Sequence, residues 1–548
     1  MGRSRAGRVA GLGLAAVVLF LGYYRMSRSE PMNADGAGNA VQAWEMLHGN
    51  LLLHGWTVSD VPFYSTELIQ YAFIEGVYGY RADVVHVAAA MTYTLLVLLA
   101  VGLARGRATG AEGLVRMAIA ALVIAVPMPG EGYGVLLLLP NHTGTGVPVL
   151  VTWLVLDRAL SGGTPRATSR WLPLTMIALL TWGQVGDPLV VFVAVLPLVV
   201  VCLWRALRLR DWSGMDARLA LAGLASVAAT QLVLLAIRTA GGFAVHPPVA
   251  QLSPAAQWHD HLPIVRDSIE VIFHAQLSAE STVTGSLLGV LHLAMLVGVC
   301  FAVLVGAAQV VRFRRDRAGD LVAQLAAAGI LVNLGAYVVS THGGDLTSAR
   351  QAAVVLPLGA VLAGRVLGPM LVPANGRTRG VRVRWRVGLL GVLAVLFAAQ
   401  TVSQARIAPV PGEHQDVADW LVAHHLTFGI GSYWSANNIT LASGGRVTVA
   451  PVTGPHTVVA FRWETRPDWY DPATHDARFI IIESIRPGYG TVDGVLAQFG
   501  APVERVDFPD AVLLRYDFNL LTDLAADCFP GKAARIADCP ALTPIPGL

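Results

Sequence analysis

The sequence predicts an α-helical polytopic membrane protein of about eleven transmembrane helices that carries a small C-terminal extracytoplasmic α/β domain. Three observations lead there. Of 548 residues, 54% are hydrophobic and only 14% charged, with a mean hydropathy of +0.57, which is too apolar for a water-soluble chain. Long apolar runs recur through residues 1–405, and the arginines between them collect in alternate connections. From residue 406 to 548 the texture changes to short alternating helix and strand signals.

Apolar runs that can cross about 30 Å of hydrocarbon fall near 9–24, 84–104, 114–128, 144–160, 171–183, 188–204, 217–237, 284–311, 319–340, 351–372 and 387–404. The runs at 114–128 and 171–183 are short, which suits tilted, broken or re-entrant segments. The first run follows Arg3, Arg5 and Arg8 as a signal peptide would, but Tyr23, Tyr24 and Arg25 stand where small residues would mark cleavage, so an uncleaved helix is expected.

Orientation follows from arginine, because cytoplasmic loops carry the positive excess. One alternating set of connections holds Arg105, Arg107, Arg158, Arg166, Arg170, Arg205, Arg208, Arg210, Arg312, Arg314, Arg315 and Arg317, together with five arginines from Arg377 to Arg386. The other set holds mainly Arg25, Arg28, Arg81, Arg266 and Arg350. The N-terminus is therefore expected in the cytoplasm, with residues 25–83 and 406–548 outside. This divides the chain into a transmembrane domain, 1–405, which includes the first outer loop 25–83, and an extracytoplasmic domain, 406–548.

In the tail, HQDVADWLVAHH and VDGVLAQFG read as helices, and RVTVAPV, RFIIIES and AVLLRYDF read as strands. The tail follows the short connector PANGRTRG and the last apolar run. Cys202 and Cys300 lie in apolar runs and read as packing groups, whereas Cys528 and Cys539 lie close together in the polar tail, where an oxidising compartment favours a bridge. The net charge of +3 and the single lysine, Lys532, exclude the basic patch that a nucleic-acid partner requires.

The first outer loop is too long for a plain connector. In NADGAGNAVQAWEMLHGN, Ala37, Val41, Trp44 and Leu47 recur at helical spacing before Gly49, as expected of an amphipathic helix at the membrane surface. A second helix is expected through Leu68, Tyr71, Ala72 and Glu75, ending at Gly79. Between them, His54, Trp56, Asp60, Tyr64 and Glu67 stand among apolar neighbours.

Two such helices after the first span, with an acidic residue soon after it, resemble the C-type glycosyltransferase (GT-C) superfamily of polytopic membrane enzymes. The strings ADGAGNAVQAWEMLHGNLLLHGW, SDVPFYSTE, PNHTGT and GDP are similar to an uncharacterised actinobacterial branch of it. The resemblance covers roughly residues 9–404. It implies a GT-C-like fold in the bilayer and hexosyl transfer from a polyprenyl-phosphate-linked sugar to a glycan, lipid or protein acceptor of the cell envelope, on the outer face of the membrane. It also implies a first-loop aspartate as general base. Asp35 matches that role by position, with a helix N-cap as its structural alternative, and Asp60 is the second candidate.

Other polar residues of the outer connections are candidates for substrate binding: His54, Glu67, His142 in PNHTGTGVP, Asp187 in GQVGDPL, and His342 and Arg350 in THGGDLTSAR. An arginine fork suits a lipid phosphate, and the alternative at this place is an ion pair with Asp345. Asp83 and His86 share a helix face and could bind a divalent metal ion with a third ligand from elsewhere, which leaves such an ion open as a cofactor. The sequence holds no HExxH, no GxxxxGK and no zinc-spaced Cys/His cluster, which argues against a nucleotide-driven pump. The alternatives to a transferase are a secondary transporter or lipid flippase, against which no matching broken repeats are found, and a non-catalytic membrane scaffold.

Overall fold

The computed structural model describes residues 2–161, 167–276, 283–313, 319–372, 381–528 and 531–539. Arg166, Arg314, Arg315, Arg317 and the PANGRTRG connector lie outside them. In chain order the helices are α1 (Gly2–Ser27), α2 (Ala34–Leu47), α3 (Ile69–Tyr78), α4 (Val84–Arg105), α5 (Gly110–Ile124), α6 (Glu131–Leu136), α7 (Gly146–Ser161), α8 (Ala167–Gly186) and α9 (Leu196–Leu209). They continue as α10 (Met215–Thr239), α11 (Trp258–Ile272), α12 (Val283–Val311), α13 (Leu321–Val339), α14 (Val355–Leu371), α15 (Val381–Gln404), α16 (Gln415–Ala423), α17 (Tyr433–Ala442) and α18 (Val492–Phe499).

Every apolar run read from the sequence falls on a helix. Among the described residues, six helical stretches are long and apolar enough to cross a membrane, or seven if the bent pair Leu346–Ala352 and Val355–Leu371 is one span. The expected eleven therefore include helices such as α5 and α7, of 15 and 16 residues, which are short for a crossing.

Packing divides the chain into two compact units: residues 1–29, 89–232 and 250–408 form the first, and 30–88, 233–249 and 409–548 the second. Where the sequence reading groups loop 25–83 with the spans, residues 30–83 pack with the tail.

In the first unit, α14 is the most enclosed helix, with nearly every residue from Val355 to Gly368 buried. Gly364 allows α5 to approach closely, since a Cβ there would lie 2.7 Å from the Arg116 carbonyl oxygen. Arg365, also buried, places Nη2 2.8 Å from Asp157 on α7 and Nη1 2.8 Å from Asp320. Its Nε donates to the Leu103 carbonyl on α4. Asp320 also caps α13, accepting from Val322 and Ala323 N–H. One guanidinium thus ties together four helices.

The second unit contains β1 (Thr57–Val58), β2 (Ala244–Val245), β3 (Phe428–Ser432), β4 (Thr448–Thr453), β5 (Val459–Phe461), β6 (Phe479–Glu483), β7 (Glu504–Asp507), β8 (Ala511–Arg515), β9 (Ala526–Asp527) and β10 (Lys532–Ala533). Eight of them form a sheet in the order β10-β9-β5-β4-β3-β6-β8-β7, with β3 parallel to both β4 and β6. The expected tail elements coincide with α16, β4, β6, α18 and β8. Alternation along β6 sends Phe479 and Ile481 to a core with α16 and α17, and Ile480 and Ile482 to a core on the other face. Cys528 and Cys539 are joined as a disulfide.

Two short pairings bind the first loop to this unit. Thr57 and Val58 run parallel to Ala244 and Val245, and Thr57 bridges Thr465. The loop helices differ in burial. The expected surface helix α2 is instead enclosed, with ten of its fourteen residues buried, because its Gly and Ala residues admit neighbours on most sides. Helix α3 buries Tyr71, Ile74 and Glu75 and exposes Ile69, Phe73 and Val77, so its polar face points inward and its apolar face outward.

Candidate active site

Asp35 lies in the first turn of α2, where negative charge is favourable. The helix is capped by Asn33, whose Oδ1 accepts from Gly36 N–H at 3.0 Å, so Asp35 is not the N-cap. Its carboxylate Oδ1 accepts instead from the Tyr433 hydroxyl at 2.8 Å. The same hydroxyl lies 3.2 Å from Glu464 Oε2. A phenol has one proton, so Tyr433 bridges the two carboxylates and donates to one at a time. Burial first, then the charges of Asp35 and Glu464, push the Tyr433 phenol well above its ordinary range, so it remains a neutral donor.

Tyr433 is placed by the sheet. It follows Ser432, the last residue of β3, and opens α17; the carboxyl end of a strand between two parallel neighbours is where α/β sheets open a ligand crevice. Glu464, 1% exposed, reaches Tyr433 past Gly38, where a Cβ would overlap its Oε2. ADGAGNA is therefore small at the position where a second carboxylate must approach the helix that carries Asp35.

Further acids lie behind them. Glu67 and Glu75 are buried, and Tyr71 is fully buried. Burial raises Tyr71 well above the usual phenol range, with added contributions from Glu75, Glu67, Glu464 and Asp35. Both Glu75 oxygens lack a hydrogen-bond partner among the described residues, and burial pushes its carboxyl up to about 9. The unfolded chain releases this proton near pH 4.3 and the folded chain near 9, so the neutral acid's contribution to stability is complete below the lower value and is lost as pH rises to the upper one. Glu75→Gln is accordingly expected to be more stable than the native protein at pH 8, by up to about 5 kcal/mol, at about 1.36 kcal/mol for each pH unit above the unfolded value. That advantage disappears near pH 4. Thermal unfolding of both proteins across this range checks it.

Glu413, His414 and Glu483 bring three possible ligand atoms within 4.8 Å of one another. Arg486 already supplies the positive charge there, with Nη1 2.8 Å from Glu483 Oε2 and 3.7 Å from Glu413 Oε1. His414 Nε2 contacts the other Glu483 oxygen at 3.0 Å. A fixed guanidinium between the carboxylates does not fit a resident divalent ion.

The first unit carries a separate polar centre. His142 Nδ1 lies 2.9 Å from Asp187 Oδ2, which also accepts from the Thr145 hydroxyl. Its Nε2 lies 3.0 Å from the Gln351 amide nitrogen. Asp187 on Nδ1 and Gln351 on Nε2 hold the imidazole ring in one orientation. The sequence candidates His142 and Asp187 are thus brought together, and Gln351 stands next to Arg350.

The remaining candidates sit elsewhere. His54 Nδ1 contacts the Gly241 carbonyl at 2.7 Å, which ties the loop to the end of α10. Asp60 accepts from Val249 N–H at 3.1 Å and lies by His246, so it anchors the 244–249 segment. His342 Nδ1 contacts Ser348 Oγ at 3.1 Å, and Asp345 caps its own turn at Thr347. Among the described residues, no third side chain completes a metal site with Asp83 and His86. Sequence reasoning missed Glu464 and Gln351.

These features define a helical, membrane-spanning fold whose second unit gathers carboxylates around a buried tyrosine. The fold is shared with ArnT from Cupriavidus metallidurans bound to undecaprenyl phosphate, at a TM-score of 0.52 and 13% identity over 93% of this chain and 98% of that one. The apo structure of ArnT aligns at a TM-score of 0.43 and 15% identity, covering 95% and 99%. No family model and no curated protein matches the sequence.

Proposed function

We propose that the protein is a membrane glycosyltransferase that moves a sugar, a hexosyl group in the expected case, from a polyprenyl-phosphate donor to an acceptor hydroxyl on the outer face of the cytoplasmic membrane. The observation that carries the reading is Asp35, held by a neutral tyrosine beside a buried glutamate in a chain that shares the fold of ArnT, a C-type glycosyltransferase whose structure holds undecaprenyl phosphate. In this reading Asp35 takes the acceptor proton, the acceptor oxygen bonds to the anomeric carbon, and the bond from that carbon to the lipid phosphate breaks, its electrons leaving with the phosphate. Tyr433 orients the carboxylate, and Glu464 keeps the tyrosine in place.

The spans supply the apolar surface that a polyprenyl chain requires. Within the first unit, His142, Asp187, His342 and Arg350 are proposed as substrate-binding residues, with Arg350 offering a fork of donors that suits a phosphate. In this reading the N-terminus is cytoplasmic and the tail outside, which the arginine pattern supports, and a Cys528–Cys539 bridge suits that compartment.

The test is reconstitution in liposomes with a sugar-labelled polyprenyl-phosphate donor and an envelope extract as acceptor. Transfer of label, with release of polyprenyl phosphate, is expected. Donor binding with no turnover under any acceptor would overturn the assignment. In the same assay Arg350→Ala is expected to raise the donor KM about tenfold or more, with a smaller effect on kcat.

A further inference from the structure

We infer that the acceptor is a neutral sugar unit of a glycan, bound on an aromatic basin formed by Trp434, Phe461, Trp463 and Tyr489; this rests on the transferase reading above. These four residues and Tyr433 touch one another, yet none belongs to either apolar core of the eight-stranded sheet. Ring centroids lie 5.1 Å apart for Tyr433–Trp434, 5.6 Å for Tyr433–Phe461, 6.0 Å for Tyr433–Tyr489 and 6.1 Å for Phe461–Trp463. The last two rings are within 5° of parallel. Tyr433 is buried, and the other four are half-buried. A group of half-buried aromatics apart from the core offers a surface to a partner as well as packing.

Its neighbours narrow the partner's chemistry. Tyr433 connects the basin by one hydrogen bond to Asp35, so a ligand seated there lies beside the proposed base. Asn437, fully buried on the same helix as Tyr433, has neither amide atom paired among the described residues. Carboxylates at Asp35, Glu464 and Glu413 oppose an anionic acceptor. The cation position is filled, because the Arg486 guanidinium lies 4.9 Å over the Trp434 ring and pairs with Glu483. An alkyl chain would leave the Asn437 amide without a partner. A sugar ring fits both halves: its C–H face packs on aromatic planes, and its hydroxyls pair with carboxylates and amides.

The experiment is saturation-transfer NMR on the full-length protein in nanodiscs, with neutral hexasaccharides of glucose, mannose, galactose and arabinose, and with hexagalacturonate and tetramethylammonium as anionic and cationic probes. At least one neutral hexasaccharide is expected to bind. Trp463→Ala should weaken it about tenfold or more, Trp463→Phe should restore most of the affinity, and all three proteins should unfold at the same temperature. Asp35→Asn should bind the same saccharide within about twofold while losing transfer. Binding of no neutral saccharide, binding of only a charged probe, or equal binding by Trp463→Ala overturns the inference and leaves the base assignment standing. Saccharide binding that depends on Trp463, together with full transfer by Asp35→Asn, overturns the base assignment and leaves the inference.

Discussion

Asp35→Asn is expected to lower kcat by about 10²- to 10⁴-fold, with normal insertion into the membrane and little change in donor KM. Asparagine keeps the size of the side chain and an oxygen that accepts from Tyr433 at 2.8 Å, so the local geometry survives. What it loses is the capacity to take a proton. The contrast with Tyr433→Phe separates the two roles. Phenylalanine leaves the base present but removes the donor shared with Glu464 Oε2, so its loss should be smaller and should alter the acid limb of the pH–rate profile. A positioning residue has that signature, whereas a purely structural one lowers activity equally at every pH. Glu464→Gln should be milder than Tyr433→Phe, since it leaves Asp35 its direct partner.

The largest stability effect is expected at Arg365. Its side chain is 4% exposed and lies 2.8 Å from both Asp157 and Asp320. Arg365→Met preserves the aliphatic stem but leaves two carboxylates without their counter-charge and the Leu103 carbonyl without its donor. Removing one member of such a buried group costs about 3–5 kcal/mol, enough to lower the yield of folded protein sharply. Thermal unfolding in detergent should show this loss, and Asp157→Asn combined with Asp320→Asn in the Met background should recover part of it. Unchanged unfolding of Arg365→Met would mean that the four helices are held by apolar packing alone.

Much of this architecture can be read along the chain, and what cannot be read has a common cause. The apolar runs mark helices because hydrophobicity is a local property, and the tail's helix and strand periods are local as well. Asp35 stands out for the same reason, following the first span by a short distance. Its partners do not, because Tyr433 is 398 residues away and Glu464 further still. No local pattern announces that a glutamate in RWETRPDWY will press against Gly38. The run of small residues in ADGAGNA signals close packing, but not the side chain that approaches it. Helix α2 reads as amphipathic from Val41, Trp44 and Leu47, and only the chain packed around it shows that Asn39 and Gln42 are buried too. Trp434 and Trp463 carry no local mark of their setting either; only the packing shows that they are half-buried and absent from both cores.

The most direct measurement is single-turnover release of polyprenyl phosphate from a sugar-labelled donor by the liposome-reconstituted protein, with the native chain and Asp35→Asn run side by side in the presence of an acceptor. The native protein should release polyprenyl phosphate in step with the appearance of labelled acceptor, and the variant should bind the donor equally well and release about a hundredfold less or lower. Release at the native rate by Asp35→Asn would contradict the account.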